Sequence, residues 1–303
     1  MNRRTSLLLL AMLLPSCSED ARSSGGDDAG RGGADAANAA PRFRLGGKYD
    51  LAAGEETNLC ARVNLEEELL VTGLAPVRGE GTHHVIAAID PTPEEPGVTP
   101  CEAFGLDWVT LFAASIGSPA LTFPEGVALR LPRGSQLMLQ MHVVNPSDVP
   151  LTGAESAVDL TLAEPEAVEH EADVALVGPL DISIGAAGGT ETASCTMREA
   201  TNYFAVFPHM HSLGRHARVW VTQAGANRNV HDAAFDPDAQ LFVEFEPIPL
   251  AKGDTIGVEC TYAPPRAGTA PIAFGPFTDD EMCFAVSYRY PASPLTLGSL
   301  CYD

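Results

Sequence analysis

The chain has 303 residues, of which 45% are hydrophobic, and its formal net charge is -22 at pH 7. This length suits two domains of ordinary size with a real apolar core. The acidic balance argues against nucleic acid as a partner, because phosphate binding needs a basic face. With 28 Gly, 24 Pro and no long helical pattern, the composition favours an all-β protein with many turns.

The N-terminus has the pattern of a bacterial lipoprotein signal. Residues 2–4 are Asn-Arg-Arg, residues 7–14 are a short apolar run, and Cys17 follows closely. The run is too short to span a bilayer, so residues 1–17 are interpreted as a cleaved secretion signal that leaves Cys17 lipidated. An ordinary signal peptide with a chance cysteine is the alternative. Ser18 after the cysteine predicts a lipid-anchored protein of the cell envelope, at the outer membrane, that contacts the membrane only through its lipid.

A composition change separates this signal from the folded part. Residues 18–42 are rich in Ser, Gly, Asp and Ala, which predicts a flexible tether. Beyond it, short apolar runs alternate with turn signals, which predicts two tandem antiparallel β-sandwich domains of jelly-roll-like form. The acidic, Pro-containing residues 164–171 set the predicted boundary, giving domains at 43–165 and 166–303.

Six cysteines remain after Cys17: Cys60, Cys101, Cys195, Cys260, Cys283 and Cys301. An even number in an oxidising compartment predicts disulfides, with 15 connectivities open. The absence of a C-x-x-C pair disfavours a thiolate zinc site or a thioredoxin-like motif.

The histidines differ in how well their spacing suits a metal. His209 and His211 would share one face of a strand. They could then be two ligands of one metal, or two unrelated surface residues. His83 and His84 would point to opposite faces unless a strand end or bulge intervenes. His142 lies in an apolar run, where a lone histidine is usually a core residue. The remaining three have no ligand spacing: His170, His216 and His231.

Met282 admits two readings. It lies in an Asp-Asp-Glu-Met-Cys segment, where a methionine normally fills gaps in a core. Its thioether is also a soft ligand suited to Cu(I).

Five short motifs together resemble one known family. They are Thr-His-His at 82–84, Leu-Gln-Met-His at 139–142, His-Met-His-Ser-Leu-Gly at 209–214, Lys-Gly-Asp at 252–254 followed by Glu-Cys-Thr-Tyr at 259–262, and Glu-Met-Cys at 281–283. In this order and spacing they are similar to the copper type II ascorbate-dependent monooxygenases, the family of the peptidylglycine α-hydroxylating and dopamine β-monooxygenases. The resemblance covers residues 60–301.

The resemblance implies an enzyme with two coppers in two β-sandwich domains. An electron-transfer copper would be held by His83, His84 and His142. The catalytic copper, which meets O2, would be held by His209, His211 and Met282. The implied reaction hydroxylates a C–H bond of a small-molecule substrate, with ascorbate or a similar reductant as electron donor. The thioether would favour Cu(I), the state that meets O2.

The resemblance also implies disulfides and a substrate pocket. The pairs would be Cys60–Cys101, Cys195–Cys301 and Cys260–Cys283. The peptide-amidating members grip their substrate with an Arg, an Asn and a Tyr, and this chain has Phe207, Phe284 and Val286 at those places. On strands, these three residues would face the same side as the ligands, which predicts an apolar substrate pocket. Simple core filling is the alternative.

Two other functions compete with the enzyme. One is a non-catalytic copper-binding lipoprotein of the cell envelope, and the other is a structural β-sandwich with residual motifs. A complete set of six ligands in two unlike sites favours catalysis over both.

Overall fold

The computed structural model describes residues 40–105, 107–275, 277 and 279–293, together with the backbone of residues 299–301. The predicted signal peptide with Cys17 and residues 18–39 of the predicted tether lie outside the described residues. The described part is nearly all β, which confirms the predicted fold class. None of its helices is long and apolar enough to cross a membrane.

The strands of the first half are β1 (Arg42–Leu51), β2 (Glu56–Asn64), β3 (Leu69–Val77), β4 (Thr82–Asp90), β5 (Gly97–Pro100), β6 (Val109–Ala114), β7 (Leu121–Thr122), β8 (Val127–Leu131), β9 (Gln136–Val144) and β10 (Leu151–Leu162). A single 3₁₀ turn, Pro165–Ala167, follows them and coincides with the predicted domain boundary.

The strands of the second half are β11 (His170–Val177), β12 (Ser183–Ile184), β13 (Gly189–Thr196), β14 (Thr201–His209), β15 (Gly214–Gln223), β16 (Ala226–Ala234), β17 (Val243–Leu250), β18 (Thr255–Tyr262), β19 (Ile272–Ala273), β20 (Phe284–Tyr290) and β21 (Ser299–Cys301).

The first half is a sandwich of two antiparallel layers. One layer is a five-stranded sheet in the order β5-β2-β9-β4-β6, and the other contains β1, β10, β3 and β8. Alternating residues of both layers point inward, and Leu129, Leu139 and Val158 are fully buried between them.

One sheet continues from the first half into the second. Strand β8 pairs with β11 in parallel, so the order β1-β10-β3-β8 runs on as β11-β20-β14-β17. The second half adds a four-stranded sheet, β13-β18-β15-β16, which covers the other face of these strands. Strands from both sides of the predicted boundary therefore belong to one continuous sheet.

Strand β14 lies between two cores. Phe204 and Phe207 belong to the core of the first half, whereas Tyr203 and Val206 belong to the core of the second half. A strand covered on both faces needs an apolar sequence rather than an alternating one. The end of β14 is thereby held rigidly between the halves, and its last residue is His209.

Candidate metal centres

Three histidines converge at the ends of two neighbouring strands of the five-stranded sheet. In the pairing of β4 with β9, Thr82 opposes Val143 and His84 opposes His142, so His83 is an extra residue in a bulge. A bulge turns its strand locally and re-aims the side chains. This is the geometry that allows the adjacent His83 and His84 to reach the same point.

The ring nitrogens of this three-histidine group (His83, His84 and His142) face one another. The Nδ1 atoms of His83 and His84 are 3.2 Å apart, and one nitrogen from each of the three rings lies within 4.8 Å of the others. The Nδ1 atom of His142 is buried and has no hydrogen-bond partner. An unpaired buried polar atom is costly, so this nitrogen fits a metal ligand.

The outer nitrogens of two of these rings meet carboxylates. Nε2 of His142 lies 2.8 Å from Oε1 of Glu56, and Nε2 of His83 lies 3.4 Å from Oδ1 of Asp238. A carboxylate on the outer nitrogen fixes the ring orientation of a metal-binding histidine. These contacts leave the inner nitrogens free to point at a common centre.

The electrostatic environment keeps the middle ring neutral. Burial, followed by the neighbouring imidazoles of His142 and His83, lowers the pKa of His84 to about 3. His209 contributes in the same direction, although it belongs to the other half of the molecule. A neutral imidazole is the form that binds metals.

The second candidate centre is the mixed group, defined as His209, His211 and Met282. The rings of His209 and His211 have centroids 5.2 Å apart and meet edge to face. Nδ1 of His211 lies 3.0 Å from the carbonyl oxygen of Asp280. A carbonyl can only accept, so this nitrogen carries the hydrogen and Nε2 keeps the lone pair that a metal requires. Burial lowers the pKa of His209 to about 4, which keeps this ring neutral too.

A buried carboxylate holds the residue before Met282 to the loop that carries His211. Oε2 and Oε1 of Glu281 accept the backbone N–H groups of His211 at 2.9 Å and Leu213 at 2.6 Å. Burial raises the pKa of Glu281. Met282 follows directly, is itself buried, and precedes by two residues the Phe284 that pairs with His209.

Two further contacts fix the backbone on either side of Met282. The Tyr262 hydroxyl donates to the Met282 carbonyl oxygen at 2.7 Å. The disulfide Cys260–Cys283 ties the next residue to β18. The thioether is thus carried on a segment with little freedom to move, as metal sites need.

The disulfides support the predicted pairing where they are described. Cys60–Cys101 and Cys260–Cys283 are formed. Cys195 is also disulfide-bonded, whereas the side chain of Cys301, its predicted partner, lies outside the described residues.

The predicted pocket residues are packed against other side chains. Phe207 lies parallel to the ring of His209, with centroids 6.3 Å apart, and contacts Phe242 at 4.8 Å. Phe207 and Val286 are buried in the core of the first half, and Phe284 contacts Phe274. These contacts are those of core residues, and a role in substrate binding stays a prediction. A cavity of about 530 Å³ lies elsewhere, beside β3, β7 and the turn at Pro165–Ala167.

The other histidines do not complete a third group. His170 is exposed and stacks on Tyr290, and His216 contacts Asp232 at 3.2 Å. Across the described part of the chain, the three-histidine group is the only set of three His, Cys, Asp or Glu donors that converges within 4.8 Å. The sequence does not single out Glu56, Asp238 or Gln240, because nothing in a loop or strand sequence shows which distant ring a side chain will contact.

Comparisons with known proteins give one informative match. No curated protein is significantly similar to the chain. Two solved structures overlap most of this chain. The first is the turret protein A223 of Sulfolobus turreted icosahedral virus, with 12% sequence identity and a TM-score of 0.21, covering 82% of this chain and 98% of that chain. The second is a chain from the atomic structure of the same virus, with 11% sequence identity and a TM-score of 0.19, covering 89% of this chain and 99% of that chain. Scores this low carry no functional information.

The family comparison falls on the mixed group. Residues 181–303 match the model of the copper type II ascorbate-dependent monooxygenase C-terminal domain, and this range contains His209, His211 and Met282. Over this range, the chain is similar to the C-terminal domain of the copper type II ascorbate-dependent monooxygenases.

Proposed function

We propose that this protein is a copper-dependent monooxygenase that hydroxylates a C–H bond of a small organic substrate, using O2 and an ascorbate-like reductant. The substrate is apolar in part if Phe207, Phe284 and Val286 line its pocket. The observation that carries the proposal is the buried, unpartnered Nδ1 of His142, which lies with His83 and His84 around one point. The family match over residues 181–303, which include the other group, supports the proposal of a second centre.

The donor atoms fit two copper ions of different character. Bound copper would supply one-electron redox chemistry and the activation of O2. His83, His84 and His142 would hold one ion through nitrogen alone, and imidazole suits both copper oxidation states. His209, His211 and Met282 would hold the other, where a thioether favours Cu(I).

The balance of the reaction explains the need for two centres. Converting R–H and O2 into R–OH and water consumes two electrons and two protons. One copper at each histidine group would carry one of these two electrons, and the ascorbate-like reductant would provide both. The low pKa values of His84 and His209 keep these rings neutral and able to bind copper at physiological pH.

Metal content tests the two-centre proposal. Copper-loaded protein is expected to contain two coppers per chain, and His142→Ala and His209→Ala are each expected to remove one. His170→Ala, which alters an exposed histidine, is the matched control and should retain both. A content of one copper that neither ligand variant changes would overturn the proposal.

Turnover separates an enzyme from a protein that only binds copper. The loaded protein is incubated with ascorbate, O2 and a panel of small substrates, and products are read by mass spectrometry. A mass gain of one oxygen that depends on substrate, and that His209→Ala abolishes, is the expected result. Copper binding without such a product would favour the alternative of a non-catalytic copper lipoprotein.

A further inference from the structure

One segment of the second half contacts both histidine groups. Residues 236–242, called the strap here, connect β16 to β17. Oδ1 of Asp238 lies 3.4 Å from Nε2 of His83, and Oε1 of Gln240 lies 2.8 Å from Nδ1 of His209. Two residues of one short loop therefore touch a histidine of each candidate centre.

The strap is anchored to the first half as well as to its own. The hydroxyls of Ser115 and Ser118, in the loop after β6, donate to the carbonyl oxygen of Gln240 at 2.8 and 3.2 Å. At its end, the ring of Phe242 stacks on Phe112 of β6 at 5.0 Å and packs on Phe207 of β14. These three rings are buried, so the aromatic contacts hold the end of the strap against the first half.

The hydrogen bonds of Gln240 define which way its amide points. Its Nε2 donates to the carbonyl oxygens of Met210 at 3.3 Å and Pro237 at 3.1 Å. Its Oε1 must therefore face His209. An amide oxygen can only accept, so Nδ1 of His209 carries the hydrogen and the lone pair is on Nε2. The partner of one ring nitrogen thus determines what the other can bind.

We propose that the strap is a positioning element for both centres: Gln240 sets the tautomer and ring orientation of His209, and Asp238 orients His83. Because the same loop is bonded to Ser115 and Ser118, it also fixes one histidine group relative to the other. The naming of copper as the ligand rests on the proposed function, whereas the effect of Gln240 on the tautomer of His209 does not.

The tautomer can be measured in the metal-free protein. Nitrogen NMR of the imidazoles should show His209 protonated at Nδ1 in the native chain and in Gln240→Glu, which keeps an acceptor oxygen. Gln240→Met removes that acceptor, and a mixture of both tautomers is expected. Gln223→Met is the matched control, because Gln223 also donates its amide to a backbone carbonyl but lies at the end of β15.

Three outcomes decide this part of the proposal. A mixed tautomer in Gln240→Met alone supports it. An unchanged Nδ1–H tautomer in that variant overturns it. If Gln240→Met does not fold, Gln240→Glu decides, since loss of the Nδ1–H tautomer in a variant that keeps the acceptor would also overturn it.

Copper spectroscopy tests both arms of the strap. In the Cu(II) protein, Gln240→Met should change the electron paramagnetic resonance signal that is missing in His209→Ala. Asp238→Asn should change the signal that is missing in His142→Ala. The copper affinity of each perturbed centre should fall about 10–100-fold, as for other outer partners of metal-binding histidines. Unchanged signals and affinities in both variants would overturn the proposal. If the native chain binds no copper, the proposed function fails, and the NMR result still decides the role of Gln240.

Discussion

The two histidine groups are assembled in different ways. The three-histidine group comes from the adjoining ends of β4 and β9, and a single bulge at His83 is enough to bring its rings together. The mixed group combines the end of β14, the residues after it and the segment before β20. It is held by Glu281, by Tyr262 and by a disulfide. Neighbouring strands of one sheet already position the first group, whereas the second depends on contacts between separate segments.

This difference matches the donor atoms. Local backbone geometry can place three imidazole nitrogens, because an outer partner can bind the second nitrogen of a ring and so fix the orientation of that ring. A thioether has no such second group, so the position of Met282 must be fixed through its backbone. The carbonyl oxygen of Met282 is held by Tyr262, and the residues on either side are held by the Glu281 carboxylate and the Cys283 disulfide. We therefore expect the mixed group to be more sensitive to changes outside its ligands.

The largest expected effect comes from replacing Met282, the proposed sulfur ligand. Met282→Ile keeps the apolar volume, so the free energy of unfolding should change by less than about 1.5 kcal/mol. Loss of the soft ligand should lower turnover about 1000-fold, or about 4 kcal/mol in the barrier. Oxygen consumption and denaturant unfolding measure the two effects, with Met197→Ile, a change at another buried methionine of the second half, as control. Full oxygen consumption in Met282→Ile would show that Met282 is only core packing.

The two described disulfides provide the next comparison. They close loops with sequence separations of 41 residues for Cys60–Cys101 and 23 for Cys260–Cys283. Loop entropy alone predicts that removing them by Cys→Ser pairs costs about 3.9 and about 3.4 kcal/mol. The free energy of unfolding should thus fall by similar amounts in the two double variants. Only Cys260→Ser with Cys283→Ser should also weaken copper binding at the mixed group. Equal copper loss in both variants would remove the distinction between the two centres.

The smallest effect concerns protonation of the metal-free protein. The pKa values of His84 and His209 are lowered to about 3 and about 4, below the value of about 6.5 for an unfolded histidine. As the pH falls below about 6.5, the unfolded chain binds protons that the folded chain does not, so stability is lost. Each histidine should add about 1.4 kcal/mol per pH unit to this loss. Urea unfolding should therefore show a shallower pH dependence in His84→Gln and in His209→Gln than in the native chain. An equal slope in either variant would show that its histidine is not held neutral.

The sequence by itself determined the fold class and the candidate ligands. Short apolar runs between turn signals predicted an all-β protein, and the structure confirms it, because alternation along a strand reports directly which face is buried. The motifs around His83, His142, His209 and Met282 resemble those of one family, and the match over residues 181–303 supports that resemblance for the second half.

Only the tertiary structure decided how these residues meet. A bulge of one residue is invisible in a sequence, yet it determines whether His83 and His84 point together or apart. The contacts of Gln240 with His209 and of Asp238 with His83 join positions that are distant in the chain. The sequence predicts that Phe207 faces a pocket beside His209; its ring lies parallel to the His209 ring, and Phe242 packs against it. Local periodicity gives the direction of a side chain, whereas what occupies the space in front of it depends on segments that only folding brings there.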